Sequence, residues 1–248
     1  MKKIIFWTAL ISVLGLLIGA CAKRDDDTAT TQFSVSCEDT TTASGSITIG
    51  SDTASGTYLH LTSNESYNSL PATGCTDTSS RSANPYHPTG TNSILKKKII
   101  TSSTSFVDHE SYYSDTACTS RLGYIEKKYS NLSVGDTVSG LDNSSGGRPT
   151  SGYRVTYKPE CAKIMADTDA AMVTFNTHYA AFFHIYPMTT GTEKVFCLGW
   201  ACQARTYYDI WGAGDNGTTF SIYQAMGGSA GYEPSDWDDN SGGATYQK

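Results

Sequence analysis

Oxygen-bearing side chains at alternate positions are the sharpest chemical pattern in the chain. In Asp236-Trp237-Asp238-Asp239-Asn240-Ser241-Gly242, the residues Asp236, Asp238 and Asn240 stand in the D-x-D-x-N spacing with which a calcium loop begins. Hard cations take carboxylate and amide oxygens, so these three are the candidate metal ligands. Ser241 occupies the place of the turn glycine, and Gln247 that of the closing bidentate glutamate. An EF-hand is therefore ruled out. A non-EF structural calcium site or a plain acidic surface loop is left, and no other cofactor is expected. The histidines His60, His87, His109, His178 and His184 form no HExxH. On a strand, His178 and His184 would lie about 20 Å apart, too far for one metal ion without a bend. No G-x-S-x-G marks a nucleophile elbow. Gly212-Ala213-Gly214-Asp215-Asn216-Gly217 leads into neither a helical pattern nor a Lys-Ser/Thr pair. It does not fit a phosphate cradle, and Asn216-Gly217 is better explained as a hairpin turn joining Tyr207–Trp211 to Thr218–Tyr223. No residue is assigned a catalytic role, and a hydrolase without a motif ranks third among the functional readings.

Contact chemistry is what remains. Tyrosine reaches 16 residues, and Tyr207, Tyr208, Trp211, Tyr223, Tyr232 and Trp237 crowd the C-terminal part. Such rings either offer area to a sugar or protein or pack a core short of aliphatics. Charged residues make up 17% of the chain, below the usual ~25%, so a coiled coil is excluded. The net charge of −6 argues against a nucleic-acid partner, which would favour a basic chain.

The N-terminus sets the expected compartment. Met1-Lys2-Lys3 is a positive start, and Ile4 to Gly19 is apolar apart from Thr8 and Ser12. That run is shorter than the ~20 residues a spanning helix prefers. Leu17-Ile18-Gly19-Ala20-Cys21, with two small residues before a cysteine, resembles a bacterial lipobox. The resemblance implies that residues 1–20 are a signal peptide cut after Ala20. It also implies diacylglycerol on Cys21, acyl chains such as palmitate on the new amino terminus, and a membrane reached through lipid. Ala22 does not match the aspartate that retains lipoproteins at the inner membrane. The expected address is the outer membrane, facing the periplasm or the cell surface. Lys23-Arg24-Asp25-Asp26-Asp27 loosely resembles the basic-then-acidic export tag of surface lipoproteins. Residues 21–35 are expected to be a flexible tether and residues 36–248 a β-rich domain.

Besides Cys21, the chain has Cys37, Cys75, Cys118, Cys161, Cys197 and Cys202. An even set in an exported chain points to disulfides, although the sequence does not choose among the pairings. The expected pairs are Cys75–Cys118, Cys37–Cys161 and Cys197–Cys202.

These side chains must be carried by strands. Ser46–Ile49, Thr57–Leu61, Ile94–Thr101, Phe106–Tyr113, Leu122–Tyr129, Thr137–Val138, Tyr153–Tyr157, Val195–Leu198 and Thr218–Tyr223 are β-rich runs, separated by Gly, Asn, Asp and Ser. Regular spacing of such runs argues for an antiparallel barrel or sandwich. Residues 169–186 fit either one helix or buried strands; the Val, Thr, Phe, His and Tyr content favours strands from Met172. Residues 141–150 are the best linker, either between subdomains or as a long loop within one barrel.

Gly56-Thr57-Tyr58, Cys75, a lysine-rich strand and Tyr112-Tyr113-Ser114-Asp115-Thr116-Ala117-Cys118 follow one another, with Tyr124 and Val134-Gly135 beyond. Over residues 55–140 this order resembles the adenomatosis-polyposis-coli-down-regulated family of extracellular barrel domains and their bacterial lipoprotein relatives. The family's first-strand tryptophan is Tyr58 here, and its proline after the second cysteine is absent. The resemblance implies an antiparallel lipocalin-like barrel or half-barrel with an apolar cavity and lipid-type ligands. The expected function is thus a lipid-anchored binding protein holding a hydrophobic or amphipathic small molecule. From strand alternation, Tyr58, Tyr113, Tyr124, Tyr153 and Tyr157 are expected to line or border that cavity. The rival is a surface adhesin or carbohydrate-binding module that contacts a glycan or protein through its tyrosines.

Overall fold

The computed structural model describes residues 37, 41–61, 74–78, 84–142, 148–180, 187–197, 205–215, 220–225, 229–230, 233–237 and 244–248. Its strands are β1 (Ser46–Ile49), β2 (Asp52–Ser55), β3 (Thr57–Leu61), β4 (Thr76–Asp77), β5 (Ser93–Ile100), β6 (Phe106–Tyr113) and β7 (Arg121–Ser139). They continue with β8 (Ser151–Ala166), β9 (Lys194–Cys197), β10 (Tyr207–Asp215), β11 (Phe220–Gln224), β12 (Ser229–Ala230) and β13 (Ala244–Gln247). Strands β3, β5, β6, β7, β8, β10, β11 and β13 pair antiparallel in that order, and β13 returns to β3. The ring is a closed eight-stranded barrel. Closure removes the free edges that would otherwise template aggregation.

Alternation decides which side chains enter. Ile94, Ile100, Phe106, Tyr112, Ile125, Tyr129, Val155, Tyr157, Ile164, Trp211, Ile222 and Tyr246 share one buried cluster. Hairpin β1–β2 adds Ile47, Ile49 and Ala54 to that cluster and closes one end. Its turn residue Gly50 has φ +65°, and a Cβ there would lie 2.1 Å from the Tyr153 hydroxyl. Only glycine meets both demands. On the outside, Leu141, Ile210, Tyr223, Ala225 and Trp237 form a second, smaller cluster.

The structure departs from sequence expectation in two places. Residues from Met172 are not a strand. They belong to helix α1 (Asp169–Phe175), which runs into a π-helical turn, Asn176–Ala180. Thr168 caps the helix by accepting from Ala171 N at 3.3 Å, and Asp169 lies in the first turn. Local capping and the Ala170-Ala171 pair outweigh the β propensity of Val173 and Thr174. The helix closes the other end of the barrel, where Phe175 packs 6.0 Å from the Tyr112 ring. A Cβ on Gly123 would meet Met165 O at 2.6 Å and Phe175 at 2.9 Å, so this seat needs glycine. Residues 181–186 lie outside the described residues.

The second departure is strand length. Leu122–Tyr129 and Thr137–Val138 are parts of one strand, β7, bridged where Asn131 takes φ 53° and the register shifts. Strand β8 likewise runs on from Tyr157 through Pro159, which sits at a register shift, where a missing N–H is tolerated. Residues 141–150 connect β7 to β8, and both flanks belong to the same barrel.

Two disulfides, Cys37–Cys161 and Cys75–Cys118, match the expected pairs. The third pair, Cys197–Cys202, lies outside the described side chains. Cys118 has φ 55°, and Asp115 shapes its loop by accepting from Ala117 N, Thr119 N and Ser120 N. Those backbone donors, first that of Thr119, hold the Asp115 pKa down to about 2. Cys37 lies 124 residues from Cys161 in sequence, so their link constrains a large part of the unfolded chain. Replacing both by alanine is expected to cost about 2–4 kcal/mol, measured by urea unfolding. An unchanged midpoint would show that the link adds nothing.

Candidate ligand-binding site

Charged residues follow the same inward parity as the core. Ladder β5–β6 sets Lys96 opposite Glu110 and Lys98 opposite Asp108, while Ile94 and Ile100 face Tyr112 and Phe106. Ladder β6–β7 sets Lys127 beside Asp108. On β10, Asp209 shares the parity of Tyr207 and Trp211. Lys96, Lys98 and Lys127 thus share the inward parity with Asp108, Glu110 and Asp209.

Two of these groups are deeply enclosed. The Lys98 side chain is 0% exposed, with Nζ 2.5 Å from Asp108 Oδ1. The same Nζ lies 4.2, 4.9 and 4.7 Å from the ring centres of Phe106, Trp211 and Tyr246. The chain's own ammonium thus fills an aromatic cage. Asp209 is buried and accepts from Gln224 Nε2 (2.6 Å), Ile210 N (2.8 Å), Trp211 Nε1 (3.0 Å) and the Tyr157 hydroxyl (3.2 Å). Trp211 therefore joins the two centres, its ring facing Lys98 and its N–H serving Asp209. Burial first, then nearby carboxylates and phenols, pushes Tyr129, Tyr157 and Tyr246 far above the ordinary phenol value. All three stay protonated.

A wetter zone lies nearer the α1 end. Lys96 Nζ sits 3.3 Å from Glu110 Oε2, yet their side chains keep 41% and 28% of their exposure. His87 Nε2 lies 3.9 Å from Glu110, and its ring is 5.3 Å from Tyr112. Burial raises Tyr179 to about 12, and a shared hydrogen bond joins it to Tyr112. His60 packs edge-on against Tyr246 at 5.2 Å. The β3–β5 register pairs Leu59 with Lys97, and one step on it places His60 opposite Lys96. Burial, then Lys96, lowers the His60 pKa to about 4.

This depression predicts acid sensitivity. The folded pKa of His60 lies below the unfolded value, so the unfolded state takes up the proton first as pH falls. Stability is expected to drop by about 3 kcal/mol between pH 6.5 and 4 from this residue. His60→Phe should flatten that part of the curve in urea unfolding at stepped pH. An equal slope in both proteins would remove His60 as the cause.

The expected contact tyrosines divide across the wall. Tyr58, Tyr153 and Tyr157 face inward; Tyr58 accepts from Ser55 N at 3.0 Å and Tyr157 serves Asp209. Tyr113 and Tyr124 take the opposite parity and face outward. Tyr124 donates to Glu193 and lies under the Arg121 guanidinium at 4.8 Å. The five do not line one surface. The resemblance also implied an apolar cavity, whereas the described interior combines aromatic rings with ion pairs. Lys96, Lys98, Glu110, Asp108, His60 and Asp209 were not singled out from sequence.

Of the calcium candidates, Asp236 accepts from Asp142 N (2.7 Å) and Trp237 N (2.6 Å), clasping two loops. Asp238 and Asn240 lie outside the described residues. Among the described residues, no three His, Cys, Asp or Glu side chains gather as a metal site. His178 packs 5.3 Å from Tyr86, and His184 lies outside the described residues.

Outside the barrel, His109 touches Glu126 through Nδ1 (3.4 Å) and Ser111 Oγ through Nε2 (2.6 Å). The order is that of acid, base and nucleophile. Ser111 is 1% exposed, however, so a substrate cannot reach its hydroxyl as the site stands. The chain matches no known family model and no curated protein.

Proposed function

We propose that this chain is an exported lipoprotein, anchored at the outer membrane through Cys21, whose barrel binds an amphipathic small molecule. The lipobox-like Leu17–Cys21 segment supports the anchor. The two disulfides fit an oxidising compartment. The barrel supplies a container with no free edge in its ring.

One observation carries the binding reading. Lys96 and Glu110 point into the barrel yet remain 41% and 28% exposed. Inward side chains stay wet only where the interior opens to solvent. Beside them lie enclosed rings, with Tyr112 1% exposed and Tyr246 buried. A polar lip over an aromatic floor suits a molecule with one polar and one apolar end. Radiolabelled palmitate should enter the wild-type chain and not Cys21→Ala. The Lys96→Ala variant should retain less of any amphiphile that copurifies with wild type. Equal retention would count against the lip.

Tyr86 favours the second reading, a surface carbohydrate-binding module. It is an exposed tyrosine, and it packs on His178 and Tyr179. Tyr86→Ala would weaken glycan binding under that reading and leave amphiphile binding intact under the first.

A further inference from the structure

His60 pairs through its backbone with Tyr246 in the β3–β13 ladder, and its imidazole stands apart from that pairing. Among the described residues, its Nδ1 is enclosed and meets no partner. Buried polar atoms are nearly always paired, so an orphan of this kind requires an explanation. Its surroundings supply one. The Tyr246 ring stands edge-on beside it, and Lys96, one step beyond the Leu59–Lys97 pair, acts on it electrostatically. Lys96 is itself paired with Glu110.

The chemistry of this corner selects among ligands. Near neutral pH the imidazole is uncharged, with one N–H to donate and one lone pair to accept. A hydroxyl has the same two capacities. Lys96 and Glu110 neutralise each other but keep unused N–H groups and lone pairs. They can bond a second hydroxyl without losing their own contact. A phosphate or carboxylate would find the Lys96 charge already met, with Glu110 and Asp108 close by. A cation would meet Lys96 and Lys98. The pairing of Lys96 with Glu110 and of Lys98 with Asp108 thus disfavours either ion and leaves dipolar contacts.

We infer that the polar end of the ligand is an uncharged, hydroxyl-bearing group, a sugar or glycerol-like diol, bonded by His60 and the Lys96–Glu110 pair. Its ring or alkyl portion lies against Tyr112 and Tyr246. This inference rests on the binding function proposed above. Such a group comes either from a glycolipid headgroup or from a free sugar.

The test uses the full chain in phosphatidylcholine nanodiscs, with empty discs as the blank. Calorimetric titration compares octyl β-glucoside, octyl phosphate and octanoate, each below its micelle-forming concentration, with methyl β-glucoside. Octyl β-glucoside should bind at least tenfold more tightly than octyl phosphate or octanoate. His60→Phe should weaken it tenfold or more, whereas His60→Gln, which keeps a donor and an acceptor, should retain most of the affinity. If the phenylalanine variant loses its β-sheet circular dichroism, Glu110→Gln serves for the same comparison, again with a tenfold loss. Equal affinity for methyl and octyl glucoside supports the hydroxyl site with a free sugar as its source. Tighter binding of octyl phosphate or octanoate overturns the inference while leaving an amphiphile-binding barrel in place. No binding of any of the four above the blank overturns both.

Discussion

Replacing Asp108 by alanine is expected to lower the stability of the barrel by about 3–5 kcal/mol, the usual cost of stranding one member of a buried ion pair. Lys98 has no exposure, and Asp108 is its counter-charge at 2.5 Å. Without the carboxylate, the ammonium keeps, among the described residues, the rings of Phe106, Trp211 and Tyr246. Each such contact contributes up to about 2 kcal/mol when dry, while removing an ion from water costs several. The ring contacts are the same with or without the carboxylate, so they do not offset its loss. The reverse change should be far milder. The Asp108 side chain keeps 30% exposure, so water can solvate it in Lys98→Met, and methionine fits an aromatic cage. Urea unfolding at pH 7 would show Asp108→Ala well below Lys98→Met. Equal losses, or the opposite order, would mean that burial is not what sets the balance.

Asp209→Ala is expected to cost a comparable amount, about 3–5 kcal/mol. Four donors converge on this carboxylate. Its removal leaves the Trp211 indole N–H and the Gln224 amide buried without their acceptor, at about 1–3 kcal/mol each. Gln224 and Tyr157 can partly serve each other, which keeps the total below a simple sum. Asp209→Asn should fall between, because its amide oxygen still accepts while its amino group confronts donors. The double change Asp209→Ala with Trp211→Phe should be less than additive, since the second removes a stranded donor. Full additivity would separate the two residues and disprove the shared centre.

The barrel was legible because alternation and turn residues fix strands locally. Thr57–Leu61 and Tyr153–Tyr157 show this plainly, and both lie in the ring. The two disulfides also agreed with expectation. The α1 helix was hidden, since Val173, Thr174 and Phe175 carry β propensity and the Thr168 cap and the Ala170-Ala171 pair tip the balance. The division of tyrosines was hidden for a different reason. Side-chain facing has a period of two, so the parity of Tyr58 does not predict that of Tyr113 until the register is known. A bulge at Tyr112/Tyr113 complicates it further.

The inward charges did carry a signal. In Ile94-Leu95-Lys96-Lys97-Lys98-Ile99-Ile100, the residues Lys96 and Lys98 share parity with Ile94 and Ile100. In Phe106–Tyr113, Asp108 and Glu110 share parity with Phe106 and Tyr112. A lysine run on a strand suggests a solvated face until its parity is compared with the flanking apolar residues. Opposite charges at matching steps of neighbouring strands then mark an internal pair.

Native mass spectrometry of residues 22–248, exported to an oxidising periplasm and purified without detergent, tests the central claim most directly. The claim predicts a second species heavier by the mass of one small amphiphile, lost on denaturation and depleted in Lys96→Ala. A bare protein mass from every preparation, with no adduct after incubation with membrane lipid extract, would contradict it.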